Sequence, residues 1–246
     1  MDGPERRRRF FTTQWSLVLA AAEPGSSSGR EALTRLCTAY WHPVFAFVRS
    51  RGHSLEQAED LTQGFFARLI EKGDLAAADR SRGRFRSFLL SACQHYLANQ
   101  RDRDSALKRG GGQAALSIDV ADAEQRYGRL LAHGETPEVV YERQWVLTLL
   151  AEVLGDLRDE YAASGREIQF DRLKRFLTCD DDAGTHAEAA RELGMSEGAV
   201  KVAVHRLRNR YRETLRSRVA ATVASEEEVT DEIAFCLRTL TRRSLP

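Results

Sequence analysis

An all-α fold is what this 246-residue sequence predicts, and three observations predict it. Runs that alternate apolar and polar residues like strands are missing, and so are hairpin dipeptides between such runs. Helix-like periodic apolar runs fill most of the chain instead. Helix-start signals recur in front of them, at Ser28-x-x-Glu31, Ser54-x-x-Gln57, Thr136-Pro137, Ser196-Glu197 and Ser225-x-x-Glu228.

The elements follow in chain order. A first helix is expected in "TTQWSLVLAAA", and "EPGSSSG" (Glu23 to Gly29) reads as a connector. Ser54 to Lys72 reads as an amphipathic helix with Leu55, Ala58, Leu61, Phe65 and Leu69 inward and Glu59, Asp60 and Gln63 outward. An aromatic and basic helix comes next, from Arg82 to Arg103. "KRGGGQAALSIDVADAEQ" (Lys108 to Gln125) is Gly-rich and acidic without clear periodicity, as an interdomain linker is. Its three glycines lack the spacing and the Lys-Ser/Thr ending of a phosphate loop. The expected organisation is a helical domain over 10–104, a linker over 105–135, a second helical domain over 136–222 and a helical tail over 223–246.

Composition narrows the function. With 42% hydrophobic and 30% charged residues the chain can bury a sizeable core, in one domain or two. No apolar run approaches the roughly 20 residues of a membrane span, and the start lacks a secretion signal, so a cytoplasmic protein without membrane contact is expected. Cys37, Cys93, Cys179 and Cys236 are far apart and form no C-x-x-C, which points to buried thiols and not to a disulfide or zinc framework. Charge is unevenly placed. Seven basic residues face Glu213 alone between Lys201 and Arg218, and eight face three aspartates between Asp79 and Arg109. Two polyanion-facing patches are implied. Asp119 to Glu160, with ten carboxylates and four arginines, would repel nucleic acid or recruit a basic partner.

"AARELGMSEGAVKVAVHRLRNRYRE" (Ala189 to Glu213) has the requirements of a helix-turn-helix. Ala190 is small where the helices cross, Gly194 tolerates positive φ in the turn, and Leu193, Met195, Val200 and Ala203 supply an apolar seam. Ser196 caps the second helix and Glu197 suits its dipole. An ordinary helical hairpin would not need the arginines that follow. Gly198, Lys201, Val202, His205 and Arg206 project towards base edges, whereas Arg208, Arg210 and Arg212 lie where phosphate contact or solvation is expected. Each base contact supplies about 1–3 kcal/mol of discrimination, so a monomeric motif needs another anchor.

That anchor is sought in the N-terminal half. In "RGRFRSFLLSACQHYLANQRDR", Phe85, Phe88, His95 and Tyr96 are interleaved with Arg84, Arg86, Arg101 and Arg103. Rings for stacking and cations for phosphate are what unstacked bases require. Core packing explains Phe85, Phe88, Leu89 and Tyr96 equally well.

"AEDLTQGFFARL", the Arg/aromatic helix, a linker and the terminal "LGMSEGAVKVAVHRLRNRYRE" together resemble a bacterial RNA polymerase sigma factor of the extracytoplasmic-function (ECF) type, over about Trp15 to Leu215. The opening "TTQWSLVLAAA", the long Glu138 to Leu177 stretch and the tail resemble an extended, planctomycete-like subgroup. The resemblance implies a sigma-two-like bundle and a sigma-four-like helix-turn-helix joined by a flexible linker. It implies that Glu59, Asp60, Gln63 and Phe66 dock on core RNA polymerase, at the clamp helices of the largest subunit, with the flap of the second largest as a further contact. Arg84, Phe85, Arg86, Phe88, His95, Tyr96, Asn99, Arg101 and Arg103 would capture the melted minus-ten element. Ser196, Glu197, Gly198, Lys201, Val202, His205, Arg206, Arg208, Arg210 and Arg212 would read the minus-thirty-five element of promoter DNA. Gly64 departs from the family, which often has an acidic residue there; a mid-helix Gly costs about 1 kcal/mol relative to Ala. His95 and Asn99 stand where Asn and Asp are usual, and Ala199, Val202 and Ala203 replace a frequent Thr, Ser and Arg.

Melting DNA costs roughly 1.4 kcal/mol per base-pair step, so polymerase has to share the work. No catalytic residue, cofactor or metal is expected, and the resemblance leaves room for an anti-sigma protein or other regulator. Two other readings compete. A one-component regulator would use the helix-turn-helix without polymerase. A nuclease would need a scaffolded carboxylate cluster, and Asp180-Asp181-Asp182 with His186 reads better as a solvated loop. His42, His53 and His133 show no ligand spacing. The tail, with Val229, Ile233, Phe235, Leu237 and Leu240, has three open roles: packing on the C-terminal domain, covering a binding face, or receiving a partner.

Overall fold

The computed structural model describes residues 15–23, 27–79, 83–106, 135–177, 186–223 and 225–241, with the backbone alone for 103–106. Among them the regular elements are helices: α1 (Trp15–Ala21), α2 (Ser27–Ser50), α3 (Leu55–Glu71), α4 (Phe85–Ala106), α5 (Pro137–Ala163), α6 (Glu167–Leu173), α7 (His186–Leu193), α8 (Glu197–Ala220) and α9 (Glu226–Thr241). Short 3-10 turns occupy Asp74–Ala77 and Lys174–Leu177. The fold is all-α, as the sequence predicts. Most of the expected linker, and Asp180 to Asp182, lie outside the described residues.

The expected start signals at α3, α5 and α9 act as the sequence predicts, whereas Ser28 lies inside α2, which begins at Ser27. At α3 the Gln57 amide donates to Ser54 Oγ and the Ser54 amide to Gln57 Oε1, a complete capping box. Pro137 opens α5, where its missing N–H leaves no bond unmade. Ser225 Oγ accepts from the Glu228 amide at the start of α9.

Two compact units arise, one from Leu149–Val219 and the other from Phe10–Thr148 with Ala220–Pro246, each taken over its described residues. The residues of α5 are divided between them. The tail therefore belongs with the N-terminal unit.

In that unit α2 is the centre. From Tyr40 to Val48 every side chain except His42 is buried, so this stretch is apolar all round, as an interior helix has to be. The buried stripe of α3 is Ala58, Thr62, Phe65, Phe66 and Leu69. It is rotated from the expected one: Leu55 is 40% exposed and Leu61 half-buried, because Phe66 and Thr62 take the inward positions. Phe66 lies against Trp41 and Phe65, with ring centroids at 6.0 and 5.3 Å. The tail helix α9 buries Val229, Glu232, Cys236 and Thr239, and the Trp15 amide donates to the Ala221 carbonyl at 3.3 Å.

The C-terminal unit buries Leu149, Val153 and Leu157 at helical spacing on α5, with Phe170, Leu173, Ala189, Ala190, Val200, Val204 and Leu207. On another face of α5, Glu152 and Asp156 accept from Arg218 at 2.8 and 2.6 Å, and Glu160 accepts from Arg210 at 2.9 Å. The expected acidic surface is thus in part an internal counter-charge for α8. A spacing of four puts Glu152, Asp156 and Glu160 on one face, which meets arginines eight apart.

Candidate nucleic-acid interface

The helix-turn-helix forms through α7 and α8. Gly194 has φ +63°, and the Met195 amide donates to the Ala190 carbonyl at 2.9 Å, which closes α7. Ser196 Oγ then accepts from the Ala199 amide at 3.2 Å and starts α8. Ala190, Val200, Val204 and Leu207 are the buried seam, while Leu193, Met195 and Ala203 are half-buried. Nothing lies within 4 Å of a Cβ added at Gly194, so its requirement is conformational. Gly194→Ala is expected to cost about 1–2 kcal/mol of stability, measured by urea unfolding, for the left-handed backbone alone. Gly198→Ala, equally uncrowded but inside the helix, is expected to stabilise by about 0.4–1 kcal/mol.

The first turns of α8 present Ser196, Glu197, Gly198, Lys201, Val202, His205 and Arg206 together, all exposed. Val202 is 50% exposed, an apolar group among polar side chains. Lys201 pairs with Glu197 at 2.9 Å, and that hydrogen bond lowers the Glu197 pKa. Asn209 lies 3.0 Å from His205 Nε2.

The three arginines beyond them differ. Arg208 donates twice to the Phe176 carbonyl, at 3.0 and 2.9 Å, and is half-buried. Arg210 is held by Glu160 and Glu213, whose hydrogen bonds raise its pKa. Arg212 is exposed and donates to a neutral acceptor, Asn209 Oδ1, at 3.0 Å.

In the N-terminal unit, α3 turns Asp60 to solvent, with Glu59 and Gln63 half-buried beside it and joined by a 3.2 Å hydrogen bond. Leu55 and Ile70, 40% and 41% exposed, add apolar area that the sequence reading had not placed on the surface. Phe66, at 2% exposure, is a core residue and lends the face only its support.

The aromatic and basic helix α4 divides its residues in the same way. Phe85 is ringed by Trp15, Tyr40 and Phe88 at 6.1, 5.4 and 5.8 Å, and is 3% exposed. Its ring is therefore occupied by core neighbours. Tyr96 is 6% exposed and packs on Phe65. His95, Asn99 and Arg101 are exposed and Phe88 is half-buried; the side chain of Arg103 lies outside the described residues. Phe88, His95, Tyr96 and Asn99 share the wall of an open pocket of about 430 Å³ with Phe65, Arg68, Leu69, Asp74, Ala77, Ser91 and Ala92. Arg68 and Asp74 carry no local signal of this role, because the concavity exists only once α3, the turn and α4 are assembled.

Arg84 and Arg86 are committed elsewhere. Arg84 donates to Glu228 at 2.6 Å and to Glu232 at 3.0 Å, and Arg86 pairs with Glu232. The Arg86 guanidinium lies over the Trp145 and Phe235 rings, 4.7 and 4.2 Å from their centroids. Burial holds its pKa below the ordinary guanidinium value. The physical reason is distance along the chain: the carboxylates come from α9, 146 residues away in the case of Arg86.

Among the described residues no cluster of His, Cys, Asp and Glu could hold a metal, and no helix is long and apolar enough to cross a membrane. No curated protein and no solved structure matches the chain. A family model described as "ECF sigma factor" matches residues 35–217, from α2 through most of α8 and short of α9. The chain belongs to the ECF sigma factors, the proteins that direct RNA polymerase to promoters.

Proposed function

We propose that the chain docks on the clamp helices of core polymerase through the Glu59, Asp60 and Gln63 face of α3, reads duplex promoter DNA with the first turns of α8, and holds unstacked minus-ten bases at the pocket beside α4. The observation that carries this reading is the exposed set Lys201, Val202, His205 and Arg206 on a correctly capped and turned helix-turn-helix. At the pocket, Phe88 offers a ring for stacking and His95 and Asn99 offer polar edges, while exposed Arg101, further along α4 and outside the pocket lining, offers a cation for the phosphates. Its volume falls in the range of small-ligand sites, about 300–1,000 Å³, which is room for a single unstacked base. Arg84 and Arg86 play a structural part in this scheme and leave phosphate to Arg101. The flap of the second-largest subunit and an anti-sigma protein are the remaining partners of the proposal.

The test is transcription. Purified protein with core polymerase is expected to yield promoter-dependent transcripts from genomic fragments, and Asp60→Ala is expected to weaken co-purification with core while leaving duplex binding by the C-terminal unit unchanged. Sequence-specific duplex binding with no polymerase association would return the chain to the one-component regulators.

A further inference from the structure

We infer that Gly64 and Tyr96 form a positioning pair that fixes one wall of the α4 pocket and thereby sets which base it accepts; this rests on the pocket holding an unstacked base. A Cβ added at Gly64 would overlap the Tyr96 hydroxyl oxygen, whereas the next nearest atom, Tyr96 Cζ, would sit at 3.5 Å, an ordinary contact. The conflict therefore concerns one oxygen atom. That oxygen has a reason to be there, since Gln100 Nε2 donates to it at 2.9 Å, and the ring packs on Phe65 at 5.8 Å. Tyr96 is thus held from two sides, with its hydroxyl in the notch that a glycine in α3 provides.

The consequence falls on the pocket. Tyr96 and Phe65 both line it, and His95 and Asn99, the polar edges proposed to meet the base, flank Tyr96 on the same helix. Displacing the Tyr96 hydroxyl moves the ring or the α4 backbone that carries His95 and Asn99. A Cβ added at Gly52, Gly73, Gly155, Gly194 or Gly198 meets no atom within 4 Å, so Gly64 is chosen for close approach where Gly52, Gly73 and Gly194 serve turns with positive φ. A glycine in mid-helix lowers helix stability relative to alanine, and the notch offsets that loss.

A double-mutant cycle tests the pair. Full-length protein in complex with core polymerase is titrated with single-stranded oligonucleotides of the promoter's minus-ten element, each carrying one of the four bases at the captured position, at a temperature where circular dichroism shows every variant folded. Gly64→Ala is expected to reduce the spread of affinities among the four bases by about tenfold. Tyr96→Phe sets its own level, and Gly64→Ala in that background is expected to change the spread by less than twofold. A Gly64→Ala protein whose base preference equals that of the wild type, or a loss that persists undiminished in the Tyr96→Phe background, overturns the inference. Wild-type protein that binds all four oligonucleotides equally would instead reject the pocket as a base site, and a complex that binds none would reject minus-ten capture itself.

Discussion

Replacing Glu232 with alanine is expected to destabilise the N-terminal unit by about 3–5 kcal/mol, read as a drop in urea midpoint at constant slope. Glu232 is 1% exposed and is the carboxylate of the buried Arg86, which lies over the Trp145 and Phe235 rings. Its removal strands a guanidinium where water cannot replace the lost partner. Glu228 makes a 2.6 Å bond to Arg84 with a side chain 41% exposed, so Glu228→Ala is expected to cost about 1 kcal/mol or less. Replacing both Arg86 and Glu232 with apolar residues of similar size, as in Arg86→Met with Glu232→Leu, is expected to recover most of the loss, because the desolvation of two charges disappears with the pair. Equal costs for Glu232→Ala and Glu228→Ala would show that the buried pair does not hold α9.

The magnitude decides between roles for the tail. Detaching α9 would uncover the buried side chains of Val229, Cys236 and Thr239 together with the Arg86–Glu232 pair, and burial of one apolar side chain such as Val229 alone stabilises by about 1.5–3 kcal/mol, so the detached state is rarely populated. A lid meant to open for DNA needs a smaller gap. The helix is better understood as part of the N-terminal fold, although the family match stops at residue 217, before it begins.

This is also where sequence reading met its limit. Features whose cause is local were legible: the Ser54 capping box, Pro137 at the start of α5, Ser196 under α8, and Gly194 in the turn each depend on atoms within four residues. The residues of α8 that face outward followed from helical period alone. Roles that depend on distant partners were not legible. Arg84 and Arg86 look like phosphate ligands until α9 delivers Glu228 and Glu232, and the acidic run of α5 looks like a repulsive surface until Arg210 and Arg218 meet it. The stripe of α3 departs from simple apolar periodicity for a subtler reason. Apolarity alone points Leu55 and Leu61 inward, but Phe66, stacked on Trp41, and the fully buried Thr62 hold the inward positions and leave Leu55 outward.

On the DNA side the largest expected effect lies at Arg206. Arg206→Ala is expected to lower discrimination at a single position of the upstream element by about 1–3 kcal/mol, five- to roughly 150-fold, while affinities for sequences already altered at that position change little. Its place in the first turns of α8, exposed beside Val202 and His205, supports the proposed role at base edges. Arg212, one and a half turns further along, is expected to act on the backbone, so that Arg212→Ala weakens all sequences alike and reduces the slope of log affinity against log salt by about one unit. Arg208 and Arg210 provide the internal control. Because one is bonded to the Phe176 carbonyl and the other to Glu160, their replacement is expected to lower the stability of the C-terminal unit and to leave the salt slope nearly unchanged. The measurement is binding of holoenzyme to duplexes selected from a pool randomised over the upstream element, repeated at several salt concentrations. A loss of slope at Arg210 equal to that at Arg212 would mean that Glu160 yields its arginine to phosphate on binding, and a uniform loss for Arg206→Ala would move that residue from base reader to backbone clamp.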